Sequence, residues 1–197
     1  AAEDATLTTY ELVVETTETE CAATTSYCEN ADSSQTCLES GSGFEPKTCQ
    51  LGCNPTTGQC FRPPGDRCLD AQPITEGNTE TIDWGQLTDD YQIQPGGCVP
   101  DNNGVQTGGP DKAFTVEVPS NKALRATLSM SPAEYGSLYL VGNCRSTDGT
   151  CRAGTNAGNV SEEVFTWVNS SGSSETLFLI ADTAANQPLT TSDLSIE

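Results

Sequence analysis

Apolar and polar residues alternate with a period of two through much of this chain, and that period predicts strands. Residues 5–17 read Ala-Thr-Leu-Thr-Thr-Tyr-Glu-Leu-Val-Val-Glu-Thr-Thr. Tyr10, Leu12 and Val14 share one face, while Glu11 and Glu15 lie on the other. With no Gly or Pro and with high β-propensity, this is an extended strand, reaching about 43 Å at ~3.3 Å per residue. Beyond residue 110 the pattern recurs. Phe114, Val116 and Val118 share a face, as do Leu124, Ala126, Leu128 and Met130. Val164, Thr166 and Val168 alternate with Phe165 and Trp167, and Leu194 and Ile196 close the chain. Ser137–Val141 and Thr176–Ala181 are short continuous apolar runs that suit buried strands. Turn signals separate these segments: Pro119-Ser120-Asn121, Tyr135-Gly136, Asp148-Gly149, Ser170-Ser171-Gly172 and Asn186-Gln187-Pro188. No segment holds a helical period for more than a turn or two. The expectation is an all-β protein built on a sandwich of seven to nine short strands.

Residues 21–60 break the pattern. They carry Cys21, Cys28, Cys37, Cys49, Cys53 and Cys60 but only four large apolar groups, Tyr27, Leu38, Phe44 and Leu51. That is too little apolar surface to fold unaided, and three disulfides at ~2–4 kcal/mol each would supply the stability. Six cysteines allow about 15 pairings, and the spacing does not choose among them. Residues 61–67, Phe-Arg-Pro-Pro-Gly-Asp-Arg, read as a linker. The expected organisation is an N-terminal extended strand (1–20), a disulfide-rich module (21–62) and a sandwich (63–197).

Composition narrows the chemistry. There are ten cysteines and no histidine among 197 residues. The missing imidazole removes His-containing zinc sites, Ser-His-Asp triads and Cys-His dyads together. The even cysteine count, without paired Cys-x2-Cys spacing, points to disulfides and an oxidising compartment. A net charge of −20, from 28 acidic and 8 basic residues, argues against nucleic acid and anionic membranes as partners. No apolar run approaches the ~20 residues of a membrane span. The opening Ala1-Ala2-Glu3-Asp4 looks like a terminus left after signal-peptide removal, so a secreted or cell-surface location is expected.

Two stretches resemble known families. The run Cys21…Ser26-Tyr27-Cys28…Thr36-Cys37-Leu38-Glu39-Ser40-Gly41…Thr48-Cys49…Gly52-Cys53…Gly58-Gln59-Cys60 resembles a Cys-rich repeat of secreted myxobacterial proteins. Gly58-Gln59-Cys60 fits the ending of that repeat, whereas Gly52 directly abuts Cys53 and departs from it. The resemblance lends context and no activity. Residues 66–197 carry Cys68-x2-Ala71, Gly77, Cys98, Gly109-Pro110-Asp111, Leu138-Tyr139-Leu140, Cys144, Cys151, Leu177–Asp182 and Leu194-Ser195-Ile196. This set resembles the bacterial pre-peptidase C-terminal domain, which implies a jelly-roll-like sandwich. The resemblance also implies Cys68–Cys98 and Cys144–Cys151 bridges, leaving six cysteines for the small module. Such domains usually follow an enzyme, and the residues ahead of this one do not read as one.

Candidate chemistry is sparse. Asp89-Asp90, Glu162-Glu163 and Glu18 with Glu20 are carboxylate pairs, which in so acidic a chain read as solvated surface rather than as a glycosidase pair. Asp101-Asn102-Asn103-Gly104 and Asp111 offer hard oxygens for calcium. The same residues also make ordinary turns and show no EF-hand spacing, so no metal ligand is assigned. Asn159-Val160-Ser161 and Asn169-Ser170-Ser171 fit the glycosylation sequon. Among the aromatics, Trp84 and Tyr91 sit in polar surroundings and are the candidates for an exposed sugar platform. Trp167 and Tyr139 read as packed in the sandwich.

These features predict a non-enzymatic extracellular structural protein, a surface-fibre subunit that self-associates when residues 5–17 are donated to a neighbour. The alternative is a secreted carbohydrate- or surface-binding module of the pre-peptidase C-terminal type, with calcium as its one candidate cofactor.

Overall fold

The computed structural model describes residues 21–22, 25–49, 51–94, 98–100, 107–131, 135–158, 160–185 and 191–197. The candidate donor strand with Tyr10, Leu12 and Val14 lies outside them. The chain divides into two compact units, Ala1–Phe61 and Arg62–Glu197.

In the first unit, β1 (Ser26–Asn30), β2 (Ser33–Cys37) and β3 (Phe44–Thr48) form an antiparallel sheet in that order. A hairpin of two-residue strands follows, β4 (Cys53–Asn54) with β5 (Gln59–Cys60). Its turn requires Gly58, whose φ is 68° and where a Cβ would collide with the Ser26 carbonyl. The side chains buried among the described residues here are Ser34, Cys37, Cys49 and Cys53. Cys21–Cys37, Cys28–Cys53 and Cys49–Cys60 therefore form the interior themselves.

The second unit is an all-β, jelly-roll-like sandwich. Its strands are β6 (Gln72–Pro73), β7 (Thr79–Asp83), β8 (Asp111–Val118), β9 (Ala123–Ser129), β10 (Gly136–Val141), β11 (Cys151–Thr155), β12 (Glu162–Val168), β13 (Glu175–Thr183) and β14 (Thr191–Ile196). One sheet runs β11-β10-β13-β8-β6 and the other β12-β9-β14-β7. All the pairings are antiparallel except β6 with β8. The helical segments are single turns, Cys68–Asp70, Trp84–Gln86, Cys144–Ser146 and Thr147–Thr150.

The alternation read in the sequence is the packing. Phe114, Val116 and Val118 of β8 meet Leu124, Ala126 and Leu128 of β9 between the sheets, with Leu177, Leu179 and Leu194. At about 1.5–3 kcal/mol per fully buried aliphatic or aromatic side chain, this core dominates the unit's stability. The five-stranded sheet is covered on both faces, so β10 reads as unbroken apolar sequence and is buried throughout. Its outer face carries a second cluster, Ala113, Tyr139, Val141 and Ile180, sealed by Ile93 and Val99 from the segment before β8. Tyr139 is thus buried, but on the outer face rather than between the sheets. Trp167 packs half-buried against the inter-sheet core.

Candidate functional site

All ten cysteines are bridged, and two bridges differ from those the family resemblance implies. Cys68 pairs with Cys144 and Cys98 with Cys151, not Cys68 with Cys98 or Cys144 with Cys151. The reason lies in the outer face. Cys144 and Cys151 stand at the two ends of the β10–β11 connection, Cys151 opposite Val141. Cys68 and Cys98 belong to the two segments that cover the sheet, and all four cysteines pack against the outer cluster. Each bridge therefore ties a covering segment to the sheet, with Cα separations of 6.3 and 5.8 Å, instead of joining cover to cover.

The structure removes the aromatic platform. Trp84 is 1% exposed, packs in the inter-sheet core and donates from Nε1 to Ser192 Oγ at 2.9 Å. Tyr91 is half-buried, and its hydroxyl accepts from the Cys68 amide at 2.7 Å. Both looked exposed because their sequence neighbours are polar, but the Thr79–Trp84 stretch places Trp84 on the inward face with Ile82.

Asn169 is likewise corrected as a glycosylation candidate. It is buried, and its amide nitrogen donates to the carbonyls of Val118 and Ser173 at 2.8 and 2.9 Å. A glycan on that nitrogen would replace one of its two donor hydrogens and, with Asn169 0% exposed, has no room. Its role is to organise the turn after β12, with Oδ1 accepting from the Ser171 amide and hydroxyl. Asn159 lies outside the described residues.

The acidic candidates also have structural roles. Glu162 is exposed, but Glu163 is fully buried, against the expectation of solvated surface. Alternation puts it on the same face as Phe165, and it accepts from Thr155 Oγ1 and the Ala157 amide, each at 2.7 Å. Burial pushes its pKa above the ordinary carboxylate range. Asp90 is held by Arg62 at 2.6 Å and by Thr88 at 2.7 Å. The residues 101–104 proposed to offer calcium ligands lie outside the described residues. Asp111 is buried and accepts two backbone N–H groups through Oδ2. Among the described residues, no three acidic or cysteine side chains come together as a metal site.

What the structure exposes lies elsewhere. Tyr27 and Phe44 of the first unit are 48% and 37% exposed and pack edge to face, with centroids 5.1 Å apart. Tyr27 stands on β1 and Phe44 on β3, the two strands that flank β2, where Phe44 pairs with Cys37. Leu38, Leu51 and Phe61 are exposed in the same unit, whereas the sandwich exposes only Leu69 and Val168 among its described large apolar residues. Tyr27, Leu38, Phe44 and Leu51 are the sparse apolar content of residues 21–60 in the sequence. Its signal was that disulfides fill the interior of so small a unit, which leaves the aromatics outside.

No family model matches the chain, and no curated protein does. Among solved structures it is similar to the pre-peptidase C-terminal domain of a collagenase from Bacillus anthracis. That likeness has a TM-score of 0.42 and 14% identity, and it covers 64% of this chain and 94% of that one. This is the type of domain that residues 66–197 resemble. The fold itself rests on the strand pairings above. The five disulfides fit an oxidising, extracellular compartment, and among the described residues no helix is long and apolar enough to cross a membrane.

Proposed function

We propose that this protein is a secreted, non-catalytic binding module that engages surface polysaccharide through Tyr27 and Phe44. The observation that carries this reading is an exposed aromatic pair on a sheet pinned by three disulfides. Aromatic faces are apolar surfaces that stack on the C–H faces of sugar rings. A covalently fixed sheet presents them with little ordering cost on binding. The acidic surface, at a net charge of −20, favours neutral or basic glycans over acidic ones. The test is a glycan array run with the wild type and with Tyr27→Ala/Phe44→Ala, each with and without a chelator. Binding by the wild type that the double variant loses, with all disulfides intact in both, supports the reading. Silence of the wild type across the array overturns it, and loss on chelation assigns calcium a part.

A second reading is self-assembly by donation of residues 5–17 to a neighbouring copy. Its support is the period-2 alternation that puts Tyr10, Leu12 and Val14 on one face outside any cysteine loop. Deletion of residues 1–18 tests it. A truncated chain that sediments as the intact chain does rejects strand donation.

A further inference from the structure

Asp111 and Asp182 are directly opposite one another where β8 meets β13, and both are 0% exposed. Side chains so placed have Cβ atoms about 4.5–5.5 Å apart, so two carboxyl groups occupy one site at the margin of the outer cluster. Each has one oxygen engaged. Asp111 Oδ2 accepts from the amides of Asp90 and Tyr91, both at 2.7 Å. Asp182 Oδ2 accepts from the Tyr139 hydroxyl at 2.9 Å. The other oxygen of each, Asp111 Oδ1 and Asp182 Oδ1, is buried without a hydrogen-bond partner. Two acceptors cannot satisfy each other, and leaving both ionised and unpaired away from water is costly.

The neighbouring charges make full ionisation worse. Asp89 and Asp90 on the covering segment add negative potential, and burial pushes the Tyr91 and Tyr139 hydroxyls upward. The guanidinium groups of Arg62 and Arg67 are turned to Asp90. Lys112 is adjacent in sequence but acts with Glu80 and Asp83.

We propose that Asp111 and Asp182 share one proton between their unpartnered oxygens, forming an acid–carboxylate pair that holds the Asp90–Tyr91 segment on the sheet and weakens as pH rises. The proton comes from solvent and returns to it, with no other bond made or broken. Burial is the first cause pushing both groups upward, followed for Asp182 by the charge of Asp111 itself. Asp111 is pushed up to about 8. In the unfolded chain an Asp titrates near about 4. Between these values the folded chain holds more protons than the unfolded one. The stabilisation is therefore complete below about pH 4 and is lost progressively as pH rises toward about 8.

The experiment is denaturant unfolding of the full, disulfide-intact chain across that window, comparing the wild type with Asp182→Asn. The asparagine amide donates to Asp111 Oδ1 at any pH, while its carbonyl still accepts from Tyr139. The wild-type midpoint should fall with rising pH and that of the variant should fall markedly less. Glu163 contributes equally to both. Parallel profiles overturn the proposal, and so does a wild-type midpoint that is flat with pH but raised by calcium, which would make the occupant a cation. Infrared spectra of the wild type in D2O keep the test valid if the variant does not fold. An acid C=O band that bleaches as pH rises toward about 8, and persists when Glu163→Gln removes the other raised carboxyl, supports the shared proton. Absence of such a band at about pH 6, where ordinary carboxyls are ionised, overturns it.

Discussion

Trp84 shows how a single polar atom fixes the place of a large side chain. Its ring fills the inter-sheet core beside Ile82, and Nε1 finds the Ser192 hydroxyl, which is itself 4% exposed. Buried indole and hydroxyl groups are mutually satisfying here, and removing one strands the other. Trp84→Phe keeps most of the apolar ring but deletes the donor. The expected loss is about 1–3 kcal/mol from the unsatisfied hydroxyl, with a further contribution from the smaller ring. Urea unfolding at fixed pH measures it, and pairing the change with Ser192→Ala in a double-mutant cycle isolates the bond. If the two substitutions add without coupling, the hydrogen bond contributes nothing. Asn169 follows the same rule at a turn, where one amide serves the Val118 and Ser173 carbonyls together.

At the scale of elements, strands exposed on one face and strands covered on both are the two patterns the sequence carries. β9 and β14 alternate strictly between buried and exposed positions, and their reading from residues 123–129 and 191–196 needs only the period of two. β10 and β13 read as continuous apolar runs, and the reason is the cover supplied by Ile93 and Val99. That cover was not legible. Ile93 and Val99 are isolated apolar residues in a polar loop, with no period to mark them. The disulfide pairing failed to be legible for the same cause, because Cys68 and Cys98 find their partners only through where the cover lies. Digestion without reduction, followed by mass spectrometry, should recover peptides joining Cys68 to Cys144 and Cys98 to Cys151. A Cys144–Cys151 peptide closed on itself would restore the pairing that the family resemblance implies and contradict the packed outer face. The Cys68–Cys144 bridge spans 76 residues, so its loss should cost about 4 kcal/mol by loop-closure entropy.

Over the whole molecule, the two units are stabilised by different physics. The sandwich buries a two-sided apolar sheet. In the cysteine-rich unit, bridged sulfurs take the place of aliphatic side chains, and Tyr27, Leu38, Phe44 and Leu51 stay exposed. A three-stranded sheet with no buried aliphatic or aromatic side chain among its described residues has little to oppose the conformational entropy of its chain. Three bridges at ~2–4 kcal/mol each amount to most of what holds it. The two units should therefore respond differently to a reductant. When the full chain is reduced stepwise without denaturant, amide exchange protection across β1, β2 and β3 should disappear as the first unit's bridges open. Protection in β8, β10 and β13 should persist under the same conditions, because their hydrogen bonds are shielded by apolar side chains on both faces. Simultaneous loss of protection in both regions would mean that the cysteine-rich sheet draws its stability from somewhere other than its own sulfurs. With the two losses resolved, Tyr27 and Phe44 become a redox-sensitive surface. If they hold glycan as proposed, that binding should vanish at the reductant concentration that unfolds β1–β3, while the sandwich is still native.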